Sequence, residues 1–456
     1  MAAVPEDRLN VLRQLFRSLP YSALRSLEMA LGLTDEVKMV EVRALITAEM
    51  EFRHIRDRVF EPFLPLFYPR EDGLSGQVFN PHLLDSLWQA LATHQPDLLN
   101  EARICLRALT ADDTTPVIFF SLSEAAADMC RTAHPALLTP NSDADRSAQL
   151  TELAHYLDLH RLSVQILRRL GDFMGRINAE KAAALRLLFQ DASAIDAASG
   201  TRFLEIVYAN LDDGAQIIKF VAMVSDRPND RFLGESELAT FGTRILDHME
   251  NKLSRLTRLT TGRICDYAED ISELVLQSLN QLQAFGQYIE LARDGPWGLR
   301  VTKARKLIAE RVEHLLNKAE KTLNDALPTY SDHVVGRLKM ERLDIAQPAS
   351  EDVAARALRL CRFIHNMRHI APSGGFATLH TKVTQALEAR LDAAFSELLD
   401  MTSHAGEISA LRVDAQHLGA AFERVLAMME ALCEPNKAHT ARRRMASAQI
   451  AQAATG

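Results

Sequence analysis

Three side chains that could hold a metal ion recur at intervals of four, Cys361, His365 and His369, with His380 eleven residues further on. On a helix that spacing lays a thiolate and two imidazoles along one slowly turning stripe, a donor set suited to zinc. Features of the same segment weigh against it. Asn366 stands where a metalloprotease carries its general-base glutamate, Cys361 borders the apolar stripe, and Arg359, Arg362 and Arg368 would repel a cation. Two Glu-x-x-His pairs, Glu51/His54 and Glu152/His155, have the spacing used in carboxylate-bridged dimetal sites. Composition alone yields about one such pair by chance, so solvated helix faces are the plainer account of them.

The same helix suggests a second use. Arg356, Arg359, Arg362 and Arg368, with two histidines among them, make it locally basic in an acidic chain. An acidic helix or phosphate on a partner could dock there, or acids from neighbouring helices could balance the charge. A later triplet, Arg442 to Arg444, is too short to hold nucleic acid or a membrane surface alone.

Other catalytic patterns do not occur. The chain has no GxxxxGK[ST] loop, GxGxxG, GxSxG or HExxH, so no phosphate cradle, nucleophile elbow or zinc-protease helix is written in it. The sequence therefore implies no cofactor.

The elements that would position these groups read as helices. Hydrophobic residues make up 47% of the 456 positions and charged residues 25%, a globular balance, while aromatics reach only 6%. Ala, Leu and Arg recur, favouring helix over strand. Apolar residues step by three and four at Ile271, Val275, Ser278, Leu282, Phe285 and Ile289, then at Val301, Ala304, Ile308, Val312, Leu315, Ala319 and Leu323. They repeat from Leu411 through Ala415, Leu418, Phe422, Val425 and Met429 to Leu432. This is the seam spacing of helices packed nearly parallel.

The fold class expected is all-α: a multi-helix bundle or irregular α-solenoid with long antiparallel helices. It should close on a C-terminal hairpin of helices over Leu379–Met401 and Ile408–Leu432. Clusters of turn formers set the expected divisions: an N-terminal unit over 1–140, a central bundle over 141–294, a C-terminal unit over 295–434 and a fraying basic tail over 435–456. Single helices are expected at 147–170, 203–224 and 235–256. The proline-rich run from Phe60 to Pro69 should be a loop pinned on the core, or else an exposed anchor. Thr115–Phe120 is the one stretch resembling a strand, and 328–348 reads as a linker.

Net charge of −8 and a pI near 6.0 disfavour duplex binding. Five scattered cysteines fit reduced thiols in a cytoplasm, and early charges at Glu6, Asp7 and Arg8 interrupt any signal-peptide core. The most apolar stretch, Phe203–Val224, carries Glu205, Asp212, Asp213 and Lys219, so no transmembrane segment is expected. A scaffold, adaptor or regulator that binds other proteins, with self-association among its modes, is the leading functional expectation. An all-helical enzyme with a pocket between helices, metal dependent through His365 and His369 or the Glu-x-x-His pairs, is the alternative. A weaker third is a DNA-binding regulator using Tyr21–Ile46 as a helix-turn-helix.

Overall fold

A computed structural model describes residues 5–32, 37–74, 76–109, 114–138, 144–173, 179–196, 198–260, 264–333, 339–403 and 415–455. Almost all of them are helical, so the all-α expectation holds. The chain divides into two compact units, Met1–Asp226 and Arg227–Gly456. No described helix is long and apolar enough to cross a membrane.

The first unit opens with α1 (Glu6–Ser18), α2 (Tyr21–Leu31) and α3 (Val37–Val59). Pro20 ends the first run and starts the second. These helices share a small core of Phe16, Leu24 and Ile46, flanked by Leu12, Leu19 and Leu45. Arg53 on α3 closes the open end of α1 by donating to the carbonyls of Phe16, Arg17 and Leu19 at 2.8–2.9 Å. Its cation thereby meets the negative end of that helix.

The proline-rich run is a 3-10 helix, Glu61–Phe67, with Pro62, Phe63, Leu66 and Phe67 buried. It is pinned on the core as the first of its two readings required. Five more helices lead on: α4 (Pro81–His94), α5 (Pro96–Ala108), α6 (Val117–Arg131), α7 (Ala144–Asp158) and α8 (His160–Phe173). The expected strand at 115–120 is instead the start of α6. Pro116 occupies its N-cap, and Phe119, Leu122, Ala126 and Cys130 continue the run with helical spacing into the core. The single helix expected at 147–170 is two, separated at Leu159, which is itself fully buried. The unit ends with α9 (Ala179–Ser193), α10 (Ser199–Ala209) and α11 (Ile217–Val224). The last two replace the expected single helix at 203–224, because Asp213 caps a 3-10 turn by accepting from the Ala215 amide.

The second unit begins with short α12 (Asp230–Gly234), then α13 (Ala239–Thr260), α14 (Ala268–Tyr288) and α15 (Pro296–Ala326). At 31 residues α15 is about 46 Å long. Its stripe from Val301 to Leu323 is buried throughout, and it packs on α13, α14, α16 (Glu351–Met367) and α18 (Ala377–Ser403). Between α16 and α18 lies α17 (Ala371–Gly374), ended by Gly375 at a φ of +82° that a side chain rarely adopts.

The expected linker at 328–348 contains an antiparallel hairpin, β1 (Thr329–His333) and β2 (Lys339–Leu343), with Thr329 opposite Leu343. Two helices complete the unit, α19 (Ala415–Leu432) and α20 (Pro435–Thr455). α18 packs on α19, and the turn expected between them at Gly406 lies outside the described residues, as do Ile408 and Leu411.

The tail expected to fray is helical. Ala438, Ala441 and Met445 are buried, and Lys437 reaches Glu388 and Asp392 on α18 at 3.3 and 2.7 Å. The three-way division expected at 140 and 294 also differs from the two units. Turn formers at those places mark ends of helices, and α6 packs on α7 across the first as α14 packs on α15 across the second.

Candidate functional site

The structure does not gather the metal stripe. α16 ends at Met367, so Cys361 and His365 stand one turn apart on the helix while His369 falls in the turn that follows it. Cys361 is buried, His365 half-buried and His369 exposed. Burial pushes the Cys361 thiol up to about 12, with the nearby Cys433 thiol adding to it, and burial likewise pushes Cys433 up to about 11. Burial keeps both thiols protonated at neutral pH. His365 Nδ1 lies 3.2 Å from the Leu432 carbonyl, tying α16 to the end of α19. Buried His380 places Nε2 2.7 Å from the Ile364 carbonyl and ties α18 to α16. Among the described residues no three His, Cys, Asp or Glu side chains are grouped to hold a metal ion.

The arginine row of α16 is largely answered from within its own unit. Arg356 and Arg359 share Asp266 at 3.3 and 3.6 Å, and Arg362 meets Glu269 at 2.8 Å. Arg368 lies between Glu388 and Glu434. These pairs are partly exposed and worth little individually, yet they leave the row electrically balanced rather than presented as a bare basic strip.

The two Glu-x-x-His pairs are also engaged by arginine. Glu51 accepts from Arg107 at 2.7 Å and Glu152 from Arg202 at 2.7 and 2.9 Å, while His54 is exposed and His155 sits 3.9 Å from Asp196. The helix pair expected over 21–46 exists as α2 and the start of α3, with Arg43 on α3 paired to Glu28 on α2 at 3.3 Å.

Several polar groups that sequence alone did not single out prove structural. Asp230 is fully buried and accepts from the amides of Trp297 at 2.9 Å and Gly298 at 2.8 Å, capping α15. The helix has Gly295 at its own N-cap and takes its carboxylate from 67 residues earlier. Asp72 in the first unit has a similar task. Burial alone would raise its pKa, but hydrogen bonds from Arg70 and from the Gly214 and Leu74 amides hold it below the usual carboxylate range. His160, buried between the Phe63 and Phe120 rings, is pushed down to about 4 by burial and by neighbouring Arg161.

Two surface features remain. On α1 to α3, Val11 (65% exposed), Leu15, Tyr21, Leu27, Met29 (60%), Met39 and Val40 all turn large apolar surface to solvent. They account for seven of the eighteen such residues among those described, on about a tenth of the chain. In the second unit, a small pocket with a cavity volume of about 70 Å³ lies where the end of α15, the segment after β2, α18 and α19 meet. Its walls are aliphatic, and Arg424 stands among them. The apolar spacing of α1 to α3 was readable in sequence, but the incomplete covering of those helices was not.

Comparison with protein-family models, with curated proteins and with solved structures returns no match.

Proposed function

We propose that this protein acts by binding another protein, as a scaffold, adaptor or regulator, and that α1 to α3 carry the docking surface. The observation behind this reading is the concentration of exposed apolar side chains there, beside a core cluster whose buried members among the described residues are Phe16, Leu24 and Ile46. Scattered surface apolar residues are ordinary, but such a density on one short segment is what interaction faces have. The occupant that fits is an apolar helical face on a partner, since Val11 and Leu15 lie one turn apart on α1 and offer a ridge for helix-on-helix packing.

The test compares the full chain with a Leu15→Glu, Met29→Glu variant. Both are used in cross-linking and pull-down from native lysate, and both are examined by light scattering for self-association. Both substituted side chains are at least half exposed, so the variant should melt within a few degrees of the parent. It should lose a stoichiometric partner that the parent retains. A parent that recovers no partner and stays monomeric sinks the proposal, and so does a variant that keeps the same partner. Self-association abolished by the variant would identify a second copy as the occupant.

A further inference from the structure

The aliphatic pocket of the second unit is distinct from the N-terminal face, and its chemistry is specific enough to name a ligand class. Its floor and walls include Leu327, Leu343, Ile345, Leu398 and Val425, and among the described residues no Phe, Tyr or Trp lines it. It is held open by bonds outside the cavity. Arg390 on α18 donates to Asn324 and to the Leu327 carbonyl at 3.2 Å, and Glu397 accepts from the Leu343 amide at 2.9 Å. The walls are therefore fixed to α18, and the space between them is preformed.

Arg424 on α19 is half-buried in this lining and forms no ion pair or hydrogen bond with any described residue. That sets it apart from the α16 arginines, each of which meets an acid. Asp344 is also in the lining, but its carboxylate accepts from the Gln347 amide at 3.0 Å and does not reach Arg424. His417 is exposed at the margin. One guanidinium, with the nearby carboxylate engaged by the Gln347 amide, can neutralise at most a singly charged anion. A phosphate dianion would meet too little positive charge and would be repelled by Asp344.

We infer that this pocket binds a small aliphatic monocarboxylate, with the tail against Leu343, Ile345, Leu398 and Val425 and the carboxylate paired with Arg424. An aliphatic tail is specified because there is no ring to stack on, and a carboxylate because its two oxygens match the fork of one guanidinium.

Isothermal titration of the full-length protein tests this with sodium octanoate and octan-1-ol, which share a tail and differ in charge. Octanoate should bind saturably at one per chain and at least about tenfold more tightly than octanol, the discrimination of one charge-assisted bond. Arg424→Met should weaken octanoate by about tenfold or more and leave octanol little changed. Ala421→Phe, which puts a ring into the pocket, should remove both. Circular dichroism melts establish that each variant is folded, and if either is not, the comparison of the two ligands on the parent still decides. No saturable octanoate binding, octanol bound as tightly as octanoate, or a folded variant that binds octanoate like the parent would each overturn the inference.

Discussion

At the scale of single residues, the buried groups Asp230 and His160 are set by their surroundings, and their placement fixes what their loss should cost. Asp230 supplies both of its oxygens to backbone amides at the start of α15. Asp230→Ala would strand those donors in a buried site, and chemical denaturation should show a loss of about 2–4 kcal/mol, with Asp230→Asn losing roughly half as much because one acceptor survives. His160 makes a separate, pH-dependent contribution. Its folded pKa is near 4 and its unfolded value near 6.5, so between those limits the unfolded chain binds the additional proton. Stability is thus unaffected by this group above about pH 6.5 and declines as pH falls towards 4, by up to about 1.4 kcal/mol per pH unit. Denaturation at pH 7 and pH 4.5 should therefore show a drop in the parent that is smaller by about 2–3 kcal/mol in His160→Leu. Equal drops in the two proteins would mean that His160 is not the neutral group this environment demands.

At the scale of elements, the α13–α15 crossing depends on the absence of a side chain. Gly242 is buried against Trp297, and a Cβ there would overlap the indole ring. Gly242→Ala should cost about 1–3 kcal/mol in denaturant unfolding, despite its better helix propensity, because neither the ring nor the helix axis can yield freely. The helices themselves were largely legible in the sequence. The three-four spacing from Val301 to Leu323 marks the buried side of α15, and Ile271 to Phe285 does so for α14. What misled was continuity of apolar spacing. It runs unbroken through Leu159, which is itself buried in the turn, and it resumes after 210–216, where buried Leu211 and Ala215 flank the exposed Asp212 and Asp213 that mark the turn. The hairpin at 329–343 was illegible for the opposite reason: TYSDH and KMERL lack the alternation that announces a strand. The site residues show the same division. The arginine row was visible as a pattern, but Asp266 and Glu269, which answer it, lie some 90 residues away in sequence. The metal stripe was read as one helix face, but the helix stops at Met367, two residues short of His369, and the three side chains are not brought together. Arg424 carries no local signature at all, since its meaning comes from the aliphatic walls brought around it by α15, β2 and α18.

At the scale of the whole molecule, each of the two units is of ordinary domain size and contains its own buried apolar set, from Phe63 and Trp88 in the first to Phe285 and Trp297 in the second. Residues 1–226 and 227–456 expressed separately should accordingly each show a helical circular dichroism spectrum and a cooperative melt. The two fragments then separate the functions assigned to them. A partner held through α1 to α3 must be recovered by 1–226 and not by 227–456, whereas octanoate must titrate into 227–456 alone. Fragments that fold but exchange these properties would relocate the working surfaces. A second fragment that captures the partner would remove the role given to Leu15 and Met29, while leaving the pocket around Arg424 to stand or fall on its own titration.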